Sequence, residues 1–135
     1  MSVVLAPDFV LAVVDRADAG HGSAAAWVRV AEEDLVTTPI ALAAVDDGAR
    51  ARGGVKAAAA VREDFARGAY AARWWADALD ETLAVARRRD LDLVRASLVA
   101  LAGRLRTDRI ATFDARFRDL RTPGGKPFVM LPADA

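Results

Sequence analysis

The residues best placed to do chemistry are two aspartates, each standing just past a run of strand-forming residues. Asp8 follows Ser2-Val3-Val4-Leu5-Ala6 across Pro7, and Asp114 directly follows Arg109-Ile110-Ala111-Thr112-Phe113. In an open α/β sheet, ligands gather beyond the C-terminal ends of the strands, where the strand order reverses. If the two runs are neighbours, their acids meet at that edge and together could hold Mg²⁺, which prefers carboxylate and water oxygens. The competing reading is that each aspartate only caps a following helix or turn.

Other reactive side chains offer less. His21 is the sole histidine, set between Gly20 and Gly22, and reads as a loop residue at the surface with no partner nearby in sequence. Ser97 has no histidine in reach and makes a poor nucleophile; a packing or phosphate-contacting role suits it better. Arg87-Arg88-Arg89 reads as a solvated helix end, with an RNA-contacting patch as the alternative. Trp74-Trp75 would point to opposite faces of a strand, one into the core and one outward.

The elements that must position these residues alternate between two kinds. Five short strands are expected: Ser2 to Ala6, Leu35 to Thr37, Ala69 to Trp74, Arg109 to Phe113 and Phe128 to Leu131. Helical patterns lie between them. Ser23 to Asp34 is one, with Ala26, Trp27 and Val30 on one side. Thr38-Pro39 is a good N-cap followed by proline at the first helical position, so a helix runs from there to about Arg52, where Gly53-Gly54 stops it. Val55 to Arg67 forms another, with Val61 and Phe65 four apart. Asp77 caps a helix that carries Leu79, Leu83 and Ala86 inward and ends in the arginine triplet, which complements the C-terminal dipole. Leu98, Leu101, Ala102 and Leu105 line a last helix from about Val94 to Arg106. The segment Arg121 to Pro127 is the one obvious flexible stretch. Strands alternating with helices predict a three-layer α/β/α domain, its mainly parallel sheet covered on both faces, with the first strand beside the fourth at the centre.

Bulk properties narrow the function classes. A chain of 135 residues fits a single domain over residues 1–135, and 54% hydrophobic content is ample for a core. There is no cysteine, which excludes thiolate zinc and redox-thiol chemistry and suits a cytoplasmic location. The 19 basic residues are balanced by 19 acidic ones, so there is no overall surplus for neutralising phosphate. No apolar run reaches transmembrane length, and the first residues lack a basic n-region. Nothing points to a membrane or to DNA.

Five blocks together resemble a known family. Val3-Val4-Leu5-Ala6 with Val10-Leu11-Ala12, Asp15-Arg16-Ala17-Asp18 and His21 is similar to the opening of PIN domains of the VapC-like toxin branch. Thr37-Thr38-Pro39 with Leu42-Ala43-Ala44-Val45-Asp46 resembles the second block. Asp92 to Ala102 (Asp-Leu-Val-Arg-Ala-Ser-Leu-Val-Ala-Leu-Ala) resembles the third, Arg109 to Asp114 the fourth, and Leu131-Pro132-Ala133-Asp134 the ending. The blocks cover nearly the whole chain in order, and the third and fourth are the most specific.

The resemblance implies a PIN fold and a magnesium-dependent ribonuclease, often a toxin paired with an antitoxin, whose four acids bind metal and activate water. Placed on this sequence, the first acid position holds Pro7, the second Ala44, the third Arg95, and only the fourth keeps its acid, Asp114. Asp8 could replace the first acid if the strand end shifts by one residue, since alternation otherwise turns it away. Asp47, three residues after Ala44, is a remote substitute for the second. Arg95 puts a fixed positive charge where a dication would sit. The expectation is therefore a degenerate member without a bound metal, with Asp8 and Asp114 as catalytic remnants and Arg95 paired internally to Asp114, or failing that to Asp8 or Asp47. Such a protein would act by binding RNA, an antitoxin or a second copy of itself. The alternative is an active Mg²⁺-dependent endoribonuclease with a rearranged site.

Overall fold

The computed structural model describes residues 1–135. Five strands form one wholly parallel sheet: β1 (Ser2–Leu5), β2 (Asp34–Thr37), β3 (Ala71–Ala72), β4 (Arg109–Ala111) and β5 (Val129–Leu131), in the order β3-β2-β1-β4-β5. β1 therefore lies at the centre, flanked by β2 and β4, as the apolar patterning implied. No helix is long and apolar enough to cross a membrane.

Alternation along each strand builds two cores, one on each face. Val4, Val36, Ile110 and Met130 feed the first, together with Ala96 to Ala102 and Val85. Val3, Leu5, Ala111 and Leu131 feed the second, together with Phe9 to Ala12, Ala24, Val45 and Val61. Helices α4 (Ala78–Arg89) and α5 (Leu93–Leu105) cover the first face; α1 (Pro7–Val14) and α2 (His21–Val30) cover the second. The long α3 (Pro39–Ala66) contributes to both, through Ala41 on one side and Val45, Ala49 and Val61 on the other.

Several local expectations shift. Helix α1 had no signal in the periodicity, because Phe9, Val10, Leu11 and Ala12 are all buried and leave no polar face to mark a period. Gly48 lets it approach α3: a Cβ there would lie 2.6 Å from Leu11 Cδ1. Helix α2 starts at His21 and ends at Val30, short of the expected Asp34, since Glu32-Glu33-Asp34 would oppose the negative end of the helix dipole. Glu33 instead lies 2.5 Å from Arg109 Nη2 on β4. Gly53-Gly54 kinks α3 without ending it: Gly54 takes φ 73°, ψ −160°, and helix continues on both sides.

On α4 the leucines face out. Leu79 and Leu83 are 51% and 47% exposed, while Ala78, Thr82 and Val85 are buried. The two stripes differ by one residue, a rotation of about 100°, and the helix seats its smaller side chains against the core. Asp77 stands at the N-cap position but makes no side-chain cap bond; its φ −99°, ψ 12° departs from the extended conformation that aims a cap at the first turn. β3 has two residues where six were expected. It is an edge strand paired only with β2, and pairing ends with Arg73 N–H donating to Thr37 O at 2.9 Å. The 121–127 segment is a bonded turn: Thr122 N–H donates to Lys126 O at 2.8 Å, and Arg89 donates to the carbonyls of Arg121 and Thr122. One member of the arginine triplet is thus a tether and not a solvated end.

Candidate functional site

Strands β1 and β4 run side by side, Val4 opposite Ile110 and Leu5 opposite Ala111, so their C-terminal ends finish together. After Leu5 the backbone stays extended at Ala6 and enters α1 at Pro7, which occupies the first helical position where a missing N–H costs nothing. The helical turn carries Asp8 back toward β4. Its carboxylate accepts from Thr112 Oγ1 at 2.9 Å and from Phe113 N–H at 2.8 Å. Asp8 does not cap its own helix. It clamps the turn that follows β4 and shortens that strand to three residues.

Asp114 does two things at once. One carboxylate oxygen accepts from Arg116 N–H at 3.0 Å and caps a short 3-10 turn, Ala115–Arg118. The other accepts from Arg95 Nε at 2.8 Å, with Arg95 Nη2 2.7 Å away. The far end of the turn is anchored by Arg118, which donates to both oxygens of Asp134 at 2.6 and 2.7 Å. That guanidinium, aided by Met130 N–H, holds the Asp134 carboxyl down at about 2.

Arg95 reaches Asp114 from the first turn of α5. Asp92 caps this helix, accepting from Arg95 N–H at 2.9 Å, and its second oxygen receives the Arg95 guanidinium as well. The arginine is therefore held between two carboxylates, with its side chain only 25% exposed. Burial works against its charge, but the hydrogen bonds it donates to Asp92 and Asp114 outweigh this and raise the Arg95 pKa above its usual value. Burial likewise pushes the Asp92 carboxyl up; the Arg95 backbone N–H and guanidinium overcome this and leave it below the ordinary range.

These groups surround a hollow of about 450 Å³ in which Pro7, Asp8, Ala44, Asp92, Arg95 and Asp114 all take part, over an apolar floor that includes Leu98 and Phe117. The four sequence positions singled out by the family pattern are thus brought to one place, with Asp8 beside them. Asp47 is not: it lies outside the hollow, exposed on α3. Asp92 was overlooked as a site acid. Its signal was present, an Asp three residues before Arg95 at the start of a helix, which is both cap spacing and ion-pair spacing.

The donor set does not suit a resident divalent cation. No group of three or more His, Asp or Glu side chains converges as a metal cage anywhere in the chain. Within the hollow, Asp8 is committed to the turn after β4, while Asp92 and Asp114 are committed to Arg95. Each unit of positive charge about 4 Å from the guanidinium would cost roughly 4 kcal/mol at an effective dielectric near 20.

The remaining candidates are structural. His21 lies at the start of α2 and not in a loop, and its Nδ1 donates to Ala12 O at 2.8 Å, clipping α2 to α1. Ser97 is buried; it donates to Val94 O at 2.8 Å and lies 2.8 Å from the hydroxyl of Thr38, the N-cap of α3. Asp15 and Asp18 both hold Arg52, at 3.1 and 2.7 Å.

No family model matches the chain. Among curated proteins, Ribonuclease VapC26 of Mycobacterium tuberculosis is 31% identical over 127 residues, which cover 90% of this chain and 94% of the relative. Among solved structures, Mycobacterium tuberculosis VapC20, described as a sarcin-ricin loop cleaving toxin, aligns with a TM-score of 0.77 at 20% identity over 84% of this chain and 90% of that one. At that identity the likeness speaks for the fold.

Proposed function

The chain belongs to the VapC-like branch of the PIN-domain ribonuclease family, and on that premise we propose that it works by binding, without metal-dependent cleavage of RNA. Its ligand would be RNA, or a protein of the antitoxin kind or a second copy of the chain. One observation carries this: Arg95 lies across the hollow at the ends of β1 and β4 and engages both Asp92 and Asp114. A permanent cation built into the chain neutralises the acids and leaves no free donor pair for an incoming ion. Asp8 holds the turn after β4, and Asp114 holds the start of the next, so the hollow keeps its shape without metal. Residues 1–135 act as one folding unit in this proposal, since one sheet draws strands from both ends of the sequence.

A second reading, an active Mg²⁺-dependent endoribonuclease with a rearranged site, is favoured by the three carboxylates that line the same hollow, Asp8, Asp92 and Asp114. It requires Arg95 to leave both partners.

Calorimetric titration with Mg²⁺ and Mn²⁺, paired with a cleavage assay on single-stranded RNA, separates the two. The binding proposal expects no micromolar heat from either ion and no cleavage beyond that of Asp114→Asn. Micromolar metal binding and cleavage, both abolished by Asp114→Asn, would establish the nuclease instead.

A further inference from the structure

The chain is neutral overall, with 19 residues of each sign, but its charges are not evenly paired. Arg73, Arg88, Arg104 and Arg106 are absent from every ion pair in the structure. They gather on one side of the molecule. Arg88, Arg104 and Arg106 line one hollow, between α4 and the C-terminal half of α5. Arg73, Arg104 and Arg106 line the next, of about 540 Å³, together with Trp74 and Trp75. Glu81 is the one carboxylate in either lining, and it already accepts from Trp75 Nε1 at 3.0 Å. Four unpaired arginines against one engaged acid give this strip a local excess of positive charge on a protein with no net charge. It is separate from the Arg95 hollow: Arg95 and Arg104 are nine residues apart on one helix, roughly 14 Å along its axis.

The aromatic side chains give the strip a second property. Trp75 is half-buried and fixed: its ring packs against the core, Arg104 Cζ lies 6.0 Å from its centroid, and Glu81 holds its N–H. Trp74 lies 5.8 Å from Trp75 at an interplanar angle of 52° and is 40% exposed. An indole that offers ring surface to solvent, braced on one side by Trp75 and set among unpaired guanidinium groups, matches the chemistry of a single-stranded nucleic acid, whose bases stack on aromatic rings while its phosphates meet arginines. An acidic peptide would use the arginines but leave the exposed indole without a role.

We propose that the strip formed by Arg73, Trp74, Arg104 and Arg106, extended by Arg88, is a contact surface for single-stranded RNA, with a base stacked on Trp74 and phosphates on the arginines. The proposal rests on the RNA-binding reading and adds to it a surface outside the family hollow.

Fluorescence anisotropy with a labelled polyuridine oligomer tests it across a series of salt concentrations. Trp74→Ala should weaken binding by about tenfold, the loss of one stacked base. Arg104→Ala and Arg106→Ala should each lower the slope of log K against log salt by about 0.7, one phosphate contact on a single strand. Arg104→Lys should restore the slope, which a purely structural role for the arginine would not produce. Arg16→Ala, an exposed arginine elsewhere, should change neither. Tight binding that all the strip variants retain would overturn the surface while leaving the RNA reading intact. Absence of RNA binding by the unmodified chain would overturn that reading itself. Displacement by polyglutamate as effective as by unlabelled RNA would assign the strip to an acidic protein segment instead.

Discussion

Arg95 holds two carboxylates at the mouth of the sheet, and its contribution can be separated into charge and packing. Replacement by alanine leaves Asp92 and Asp114 facing each other unpaired across the hollow. The cost should be about 1 kcal/mol, kept low because Asp92 is 47% exposed and solvent screens its share. The sign of the pH dependence follows from Asp92. Its carboxyl is depressed below 3.8 in the folded state, so the stabilisation is fully present above that value and is lost as pH falls through the depressed one. Urea unfolding of the wild type and Arg95→Ala should therefore differ at neutral pH and converge in strong acid. A difference undiminished at low pH would mean that Arg95 stabilises through its aliphatic stem and not its charge. At this scale the sequence was informative about Arg95 and Asp114, whose pairing follows from residue type and block position. It was silent on the bond that Asp8 accepts from Phe113 N–H, which depends on a helical turn that no periodicity announced, and Asp92 was hidden by placing the helix start one residue late.

Among the elements, α3 and α5 are joined at a single buried point. Thr38 Oγ1 accepts from Ala41 N–H at 3.0 Å, as an N-cap does, and also lies 2.8 Å from Ser97 Oγ. Both side chains are fully buried. Thr38→Val keeps the shape and removes the hydroxyl, so Ala41 N–H loses its acceptor and Ser97 loses its cross-helix partner. A loss of about 2 kcal/mol is expected, the sum of a cap and part of a buried hydrogen bond. Ser97→Ala should cost less, because the cap survives it. The double variant should cost measurably less than the two singles added together; strict additivity in denaturant titrations would show that the two hydroxyls do not interact in solution. Thr38-Pro39 was legible because capping is local chemistry written in adjacent residues. The orientation of α4 was not: Leu79 and Leu83 are the larger apolar side chains, but close packing of the helix favours the Ala78, Thr82, Val85 stripe. Hydrophobic size marks that a helix is amphipathic; which of two neighbouring stripes turns inward depends on what it meets.

For the whole molecule, the arrangement of strands predicts where it opens first. β1 is paired on both edges, and Val3, Val4 and Leu5 are entirely buried, feeding the cores on both faces. Beside it, β4 carries buried Ile110 and Ala111, and α5 contributes an unbroken run of buried residues from Ala96 to Ala102. At the other extreme, β3 has two exposed residues and pairs only with β2. This asymmetry was partly legible, because the β1 run is dense in Val and Leu and the β4 run carries the strand formers Ile110, Thr112 and Phe113, whereas 69–74 mixes alanine with bulky rings and overstates its own strand. Burial on both faces means that amides in β1 cannot reach water without separating both cores, which is global unfolding, while those at 71–73 need only release one edge. Native-state hydrogen exchange in increasing urea should show the amides of Val4 and Leu5, Ile110 and the centre of α5 sharing one large opening free energy with a steep denaturant dependence. The amides of 71–73 should exchange through openings smaller by several kcal/mol and nearly independent of urea. Arg95→Ala should leave the second group unchanged, since Arg95 is tied to Asp92 and Asp114 and makes no bond to β3. If 71–73 instead exchanged with the same free energy and urea dependence as Val4, the sheet would open as one unit. The Trp74 and Arg73 strip beside that edge would then be as rigid as the core.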